Sequence, residues 1–114
     1  KEVFTQAEID TRLQQVVDQL IEEFDPERIV LFGRFAREKN VNKLSTMDLL
    51  IIADTELTFV ERIHKARNAT KHSAPIIEPL VYTPEEFKVM TEEEGEGFLE
   101  EVLKEGRVIY ENAS

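Results

Sequence analysis

Apolar side chains recur at the spacing of an α-helix over residues 5–24. An apolar residue returns every three or four positions, at Ile9, Leu13, Val16, Val17, Leu20, Ile21 and Phe24. Thr5 and Glu8 form a capping-box pattern, in which the two residues satisfy free amides at a helix start. Pro26 ends the helix, because the residue before a proline disfavours helical geometry. The sequence therefore predicts one amphipathic helix over this segment.

Four shorter apolar runs predict the strands of a sheet. They lie at Arg28–Phe32, Met47–Ala53, Ile76–Tyr82 and Val108–Tyr110. Pro79 interrupts the third run, and because proline has no amide hydrogen to donate, it favours an edge strand or a strand end. The third strand is therefore expected at the margin of the sheet.

Helical and turn patterns fill the gaps between these strands. They predict a polar loop or short helix at residues 34–45, a helix from Thr58 to about Lys71, a helix that begins at Thr83, an acidic turn at residues 92–96 and a short helix at Phe98–Lys104. No internal repeat or low-complexity linker divides the chain. The order of elements predicts one α/β (α+β) domain over residues 1–114 with a single mixed sheet.

Composition and charge narrow the class of protein. The chain of 114 residues is 41% hydrophobic and has no cysteine, which excludes disulfides, thiolate metal sites and cysteine nucleophiles. Its apolar runs are too short for a membrane span and no signal stretch opens it, so we expect a soluble, cytoplasmic protein. The formal net charge of −10 argues against affinity for duplex nucleic acid, because such binding depends on neutralising phosphates.

Two acidic residues stand at the beginning of predicted strands. Asp48 and Glu78 lie on neighbouring apolar runs, where we expect their carboxylates to converge on one side of the sheet and to suit a hard cation such as Mg²⁺. Gly33 ends the first strand, and free amides beyond it favour an anion such as phosphate. The alternative is that both acids are strand-end residues that pair with Arg28 or Arg34, or are solvated.

The helix predicted from Thr58 carries a cluster of basic residues in an acidic protein. The cluster consists of Arg62, Lys65, Arg67 and Lys71. A solvent-facing helix surface is the default interpretation of such a pattern. The alternative is a docking face for an acidic partner or a nucleotide.

Two segments, LFGRFARE at residues 31–38 and STMDLLII at residues 45–52, resemble the active-site motifs of the minimal nucleotidyltransferases of the DNA polymerase beta superfamily. The family pattern is an apolar strand, Gly-Ser, an Ala-Arg-Gly turn, and Ser-Asp-x-Asp before further apolar residues. The strand bearing Glu78, the segment YTPEEF and the ending FLEEVLKEGRVIYE also resemble the family, so nearly the whole chain is covered. The resemblance implies a small mixed sheet with helices packed mainly on one face.

The resemblance also implies a two-metal transfer reaction. In this family the Gly-Ser turn holds the β and γ phosphates of a nucleotide, and three carboxylates hold two Mg²⁺ ions that polarise the α phosphate and the attacking oxygen. A nucleoside monophosphate passes from ATP or another nucleoside triphosphate to an acceptor, and pyrophosphate leaves. The residues that match the motif are Gly33, Ala36, Arg37, Ser45 and Asp48.

Several motif positions depart from the family pattern. Arg34 stands at the serine, Glu38 at the turn glycine and Thr46 at the first aspartate. Glu78 takes the place of the third carboxylate, so the implied catalytic residues and metal ligands are Asp48 and Glu78. The implied nucleotide-binding residues are Gly33, Arg34, Arg37, Ser45 and Thr46. Loss of the carboxylate at position 46 removes a bridging metal ligand, which predicts impaired or lost catalysis.

Three functions stay open at this point. The first is an active nucleotidyltransferase with Mg²⁺ at Asp48 and Glu78, and the departures rank an impaired site above it. The second is a non-catalytic binding module, such as the antitoxin half of a toxin–antitoxin pair with a helical HEPN-type protein. The third is a nucleotide sensor that binds ATP without turnover, in which Arg34 offsets the missing metal charge. A homodimer is expected by analogy alone.

Overall fold

The computed structural model describes residues 2–92 and 97–112. The helices are α1 (Gln6–Phe24), α2 (Arg34–Arg37), α3 (Phe59–Ala69), α4 (Pro84–Glu92) and α5 (Phe98–Glu105). The strands are β1 (Arg28–Phe32), β2 (Met47–Ile52), β3 (Ile77–Tyr82) and β4 (Arg107–Glu111). Each predicted helix and strand is present, and α2 confirms the short-helix alternative. Of the predicted acidic turn, residues 93–96 lie outside the described residues.

The strands form one mixed sheet in the order β3-β2-β1-β4. Strand β1 runs antiparallel to both β2 and β4, whereas β2 and β3 are parallel and are connected through α3. Strand β3 lies at an edge, where a residue without an amide donor is tolerated, as Pro79 predicts. In this register Asp48 pairs with Phe32 of β1 on one side and with Glu78 of β3 on the other. The sheet thus brings three motif-bearing strand ends together.

The larger hydrophobic core lies between the sheet and helices α1 and α3. Leu49 and Ile51 of β2 are buried there with Leu20 of α1 and Ala66 of α3. A smaller cluster on the other face joins the sheet to α5, and consists of Val30, Leu50, Ile52, Leu99 and Val102. The two longest helices share one face and α4 and α5 pack on the other, so the predicted arrangement is confirmed for the longer helices. No helix in the described part of the chain is long and apolar enough to cross a lipid bilayer.

The start of α1 carries the capping box that the sequence predicts, and the start of α4 carries one of the same kind. At α1 the amide of Glu8 donates to Thr5 Oγ1 at 3.1 Å, and the amide of Thr5 donates to Glu8 Oε1 at 2.9 Å. At α4 the amide of Glu86 donates to Thr83 Oγ1 at 3.1 Å, and the amide of Thr83 donates to Glu86 Oε1 at 3.0 Å. These bonds satisfy amides that have no partner inside the helix.

Arg62 departs from the solvent-facing surface that the sequence predicts for the basic helix. Its side chain is 7% exposed, and Nη1 donates to Val81 O at 3.1 Å and to Glu86 Oε1 at 2.7 Å. The prediction was wrong for this residue, because a guanidinium group that is paired and hydrogen-bonded can be buried. Arg67 and Lys71 are exposed, as expected for a solvated helix face.

Candidate functional site

The motif residues meet at an open cleft of about 600 Å³, which we call the motif cleft. Its motif side is formed by Gly33, Arg34, Arg37, Ser45, Thr46 and Asp48. Helix α5 forms a second side with Phe98, Glu101, Val102 and Glu105. Small-molecule sites have volumes of roughly 300–1,000 Å³, so the motif cleft is large enough for a nucleotide-sized ligand.

Gly33 allows the chain to pass directly over the carboxylate of Asp48. Its backbone has φ 74° and ψ −152°, a region that side chains other than hydrogen rarely permit. A Cβ atom at this position would also overlap Asp48 Oδ2. Two physical requirements therefore favour glycine at this position of the motif: the backbone conformation and the close approach of Asp48.

A turn before β2 places the two hydroxyl residues at the motif cleft. The amide of Ser45 donates to Asn42 O at 3.0 Å, and the amide of Leu44 donates to Asn42 Oδ1 at 2.7 Å. This side-chain turn ends the loop and leads into Met47, the first residue of β2. Ser45 and Thr46 are consequently half-buried at the rim beside Asp48.

Asp48 and Glu78 are direct neighbours across the parallel strands β2 and β3, on the same face of the sheet. Burial raises the pKa of the Asp48 carboxyl above its ordinary value, and the negative charge of Glu78 raises this pKa further. The guanidinium group of Arg37 acts in the opposite direction and lowers it. Glu78 is exposed and lines a separate groove with Arg67 and Lys71, so it adjoins the motif cleft without lining it.

Helix α2 is a single turn, so the positive charge near Gly33 comes mainly from side chains. Arg34 Nε lies 3.8 Å from Glu38 Oε2, and Arg37 Nη1 lies 3.4 Å from Glu105 Oε1. All four side chains are about half-exposed. The positive charge at this side of the cleft therefore comes from Arg34 and Arg37 more than from a helix dipole.

Within the described residues, neither strand acid forms the alternative ion pair with Arg28 or Arg34. Arg28 contacts Glu111 of β4, and Arg34 contacts Glu38 within its own helix end. In the ranges 2–92 and 97–112, moreover, no three His, Cys, Asp or Glu side chains are grouped so that they could hold a metal ion. On the motif side of the cleft, the described groups beside Asp48 are the neutral hydroxyls of Ser45 and Thr46, and one further carboxylate, Glu78, adjoins Asp48 across the sheet. This donor set does not fit a two-ion centre held by three carboxylates.

The α5 side of the motif cleft is the part of the site that the sequence did not predict. Phe98, Glu101 and Glu105 are distant in sequence from Asp48, and the antiparallel pairing of β1 with β4 brings α5 across the end of β1. The short segment FLEEVLKE predicts a helix. Its pattern of apolar and polar residues does not indicate that its first residue, Phe98, lines the motif cleft. The predicted nucleotide-binding residues, by contrast, all line the cleft.

A comparison with protein families agrees with this architecture. The family model described as Polymerase beta, Nucleotidyltransferase matches residues 14–114, which include all four strands and every residue of the motif cleft. No match to a curated protein was found. Because the family match covers most of the chain and the sheet is the mixed four-stranded sheet expected from it, the chain belongs to the polymerase beta nucleotidyltransferase family.

Proposed function

We propose that this domain binds a nucleoside triphosphate in the motif cleft and that its capacity for nucleotidyl transfer is impaired. The proposal is carried by Thr46, which lines the cleft near Asp48 at the position where the family pattern has an aspartate. A threonine hydroxyl offers one donor and acceptor positions but no negative charge. Asp48 and Glu78 are thus one carboxylate short of the family set.

Arg34 and Arg37 are the residues expected to hold the phosphates, because a guanidinium group binds phosphate oxygens through two parallel hydrogen bonds. Each arginine already contacts a glutamate, Glu38 or Glu105, at 3.8 and 3.4 Å. Ion pairs between exposed side chains contribute only about 0–1 kcal/mol. A triphosphate, which carries several negative charges, can therefore displace both glutamates.

The expected deficit lies in the chemical step rather than in binding. A bound metal supplies several kcal/mol of transition-state stabilisation, and about 1.4 kcal/mol corresponds to a tenfold change in rate. Loss of one bridging carboxylate is therefore expected to lower the transfer rate by orders of magnitude. Ser45 and Thr46 can still donate hydrogen bonds to phosphate oxygens, which favours binding without rapid turnover.

The test is calorimetric titration of ATP into the wild-type protein and into Thr46→Asp, each with Mg²⁺ and again with EDTA. We expect wild type to bind ATP similarly in both conditions, because arginines rather than metal ligands hold the phosphates. Thr46→Asp restores the missing carboxylate and is expected to bind about tenfold more tightly with Mg²⁺ than with EDTA, a difference of about 1.4 kcal/mol.

Arg34→Ala supplies the loss-of-binding variant, and it is expected to weaken ATP binding in both conditions. Arg28→Ala is its matched control, because Arg28 is also a partly exposed arginine in an ion pair but lies outside the motif cleft. Wild-type binding that depends entirely on Mg²⁺ would contradict the impaired centre. Absence of binding to both wild type and Thr46→Asp would overturn the proposal and favour the non-catalytic partner role.

A further inference from the structure

The motif cleft has an apolar side that phosphate contacts do not use. Phe98, the first residue of α5, is 54% exposed, and Leu44, in the turn before β2, is 90% exposed. Both line the motif cleft, and so does Phe32. Single exposed apolar residues are common on protein surfaces. Here they border the same concavity as Arg34 and Arg37, which gives the cleft a cationic part and an apolar part.

The ring of Phe98 is held in a defined orientation. It packs edge-to-face against Phe32, with ring centroids 6.0 Å apart and planes at 81°. Phe32 is the last residue of β1 and pairs with Asp48 in β2, so the support of the ring belongs to the motif itself. Leu99 and Val102 anchor α5 in the smaller core. A surface that is fixed before binding loses little conformational freedom when a ligand arrives.

We infer that Phe98 is the stacking platform for the base of the nucleotide whose phosphates Arg34 and Arg37 hold. This inference rests on the proposed function. A ligand that uses both parts of the cleft presents negative charge at α2 and a flat apolar surface at α5, and a nucleoside triphosphate combines the two. Leu44 adds a second apolar contact for the base.

If Phe98 is the stacking platform, the motif cleft is expected to discriminate only weakly between the bases of different nucleotides. Stacking on an aromatic ring tolerates every base, because each base has a π face. The polar side chains on the α5 side are Glu101 and Glu105, which only accept hydrogen bonds when ionised. Acceptors suit the ribose hydroxyls, which ATP and GTP share. ATP and GTP are therefore expected to bind with affinities within a few-fold of each other.

The experiment compares the affinities of ATP, GTP and inorganic tripolyphosphate for wild type and for Phe98→Ala by calorimetry. Phe98→Ala is expected to weaken ATP and GTP binding by about 5- to 150-fold, the range for loss of one stacked base, and to leave tripolyphosphate binding unchanged. Phe98→Tyr keeps an aromatic ring and is expected to retain wild-type affinity. Phe59→Ala is the matched control, because Phe59 is also a partly exposed ring but lies outside the motif cleft.

The possible results distinguish a failure of the stacking inference from a failure of the proposed nucleotide binding. If Phe98→Ala binds ATP as tightly as Phe59→Ala does, Phe98 is not the platform, and tripolyphosphate binding to wild type would leave the proposed function standing. If Phe98→Ala loses tripolyphosphate and ATP equally, the residue shapes the cleft as a whole and the inference is wrong. If wild type binds neither ATP nor tripolyphosphate, the proposed function fails and takes this inference with it. A thermal melt of each variant verifies that the domain is folded.

Discussion

The carboxylate of Asp48 is held in a position that disfavours its charged form. Burial and the neighbouring Glu78 both raise the pKa of Asp48, and Arg37 only partly compensates. A residue kept in an unfavourable environment is a common feature of functional sites, because activity and stability make different demands on the same position. Removal of this charge should therefore stabilise the fold.

Asp48→Asn is expected to raise the free energy of unfolding at about pH 7.5, on the order of 0.5–1 kcal/mol. Because the pKa of Asp48 is raised in the folded state, the folded protein binds this proton more tightly than the unfolded chain, and wild-type stability falls as the pH rises from the ordinary value of 3.8 through the raised pKa. The gain from Asp48→Asn is thus complete above the raised pKa and disappears in acid. Urea unfolding of both proteins at about pH 7.5 and pH 3.5 measures it.

Asp54→Asn is the control for this prediction, because Asp54 lies two residues after the end of β2 but is exposed and lies outside the motif cleft. It is expected to leave the free energy of unfolding nearly unchanged. A lower stability of Asp48→Asn at neutral pH would show instead that the carboxylate contributes net stability through Arg37.

The sequence predicted which side chains meet in the motif cleft only where these residues are close together in the chain. Gly33, Arg34 and Arg37 follow one strand and Thr46 and Asp48 border the next, so a single strand pair is enough to bring them together. Their proximity in the motif cleft agrees with the motif pattern, while their roles stay predictions. Phe98 enters the cleft through the docking of α5, which depends on the whole sheet and leaves no local signal.

Elements with strong periodicity and capping were predicted to within a few residues. Helix α1 starts at its capping box and its C-cap is Asp25, the residue before Pro26. Pro79 indicates the edge position of β3, but the rest of the strand order was not predictable from the sequence, because pairing depends on contacts between residues far apart in the chain. Strands β2 and β3 are parallel, and α3 supplies the crossover that a parallel pair requires.

Arg62 shows how tertiary contacts override a surface pattern. The sequence places it among basic residues on a helix, yet the start of α4 covers it and Glu86 binds it through two hydrogen bonds of 2.7 and 3.2 Å. The hydrogen bond from Arg62 is the main reason that the pKa of Glu86 is lowered, with a further contribution from the amide of Thr83. Glu86 therefore joins three elements, because it caps α4 and neutralises a cation on α3 that also binds β3.

Glu86→Gln is expected to lower the free energy of unfolding at neutral pH by about 1–2 kcal/mol. Hydrogen bonds to charged groups contribute about 1.5–3 kcal/mol, and the smaller value is expected here because Glu86 is partly exposed and solvent screens its charge. The pKa of Glu86 is lowered in the folded state, so its stabilisation is present above the ordinary value of 4.5 and is lost as the pH falls through the lowered pKa. The difference between wild type and Glu86→Gln should therefore shrink in acid. Urea unfolding at about pH 7 and pH 3 tests both parts.

Glu111→Gln provides the comparison, because it removes the partner of Arg28 from an ion pair in which both side chains are more than one third exposed. Such surface pairs contribute about 0–1 kcal/mol. Equal losses for the two variants would mean that the burial of Arg62 adds nothing to its interaction with Glu86.

At the scale of the whole molecule, the negative net charge is compatible with the proposed binding of a nucleotide. The net charge of −10 is spread over a domain with a radius of gyration of 13.8 Å, whereas the Debye length at physiological salt is about 8 Å. Most of the long-range repulsion of an anion is therefore screened, while contacts of a few ångströms with Arg34 and Arg37 are not. That duplex DNA is not a partner stays a prediction from the net charge, because a long polyanion would meet many acidic side chains.

The same charge predicts how salt changes the stability of the domain. Side chains of like charge repel each other in the compact state, and this repulsion destabilises folding at neutral pH. An increase from about 20 mM to about 300 mM NaCl shortens the Debye length several-fold, so we expect a gain of about 0.5–1 kcal/mol and a higher Tm by a few degrees at about pH 7.5.

Near the isoelectric pH of about 4.7 the net charge vanishes, and the same increase in salt should leave the Tm almost unchanged. Thermal melts at both pH values and both salt concentrations measure the effect. A Tm that falls with salt at neutral pH would mean that attractive pairs such as Arg62 with Glu86 outweigh the net repulsion. That result would assign the electrostatic stability of the domain to its specific contacts, and it would predict a larger loss for Glu86→Gln at low salt than at high salt.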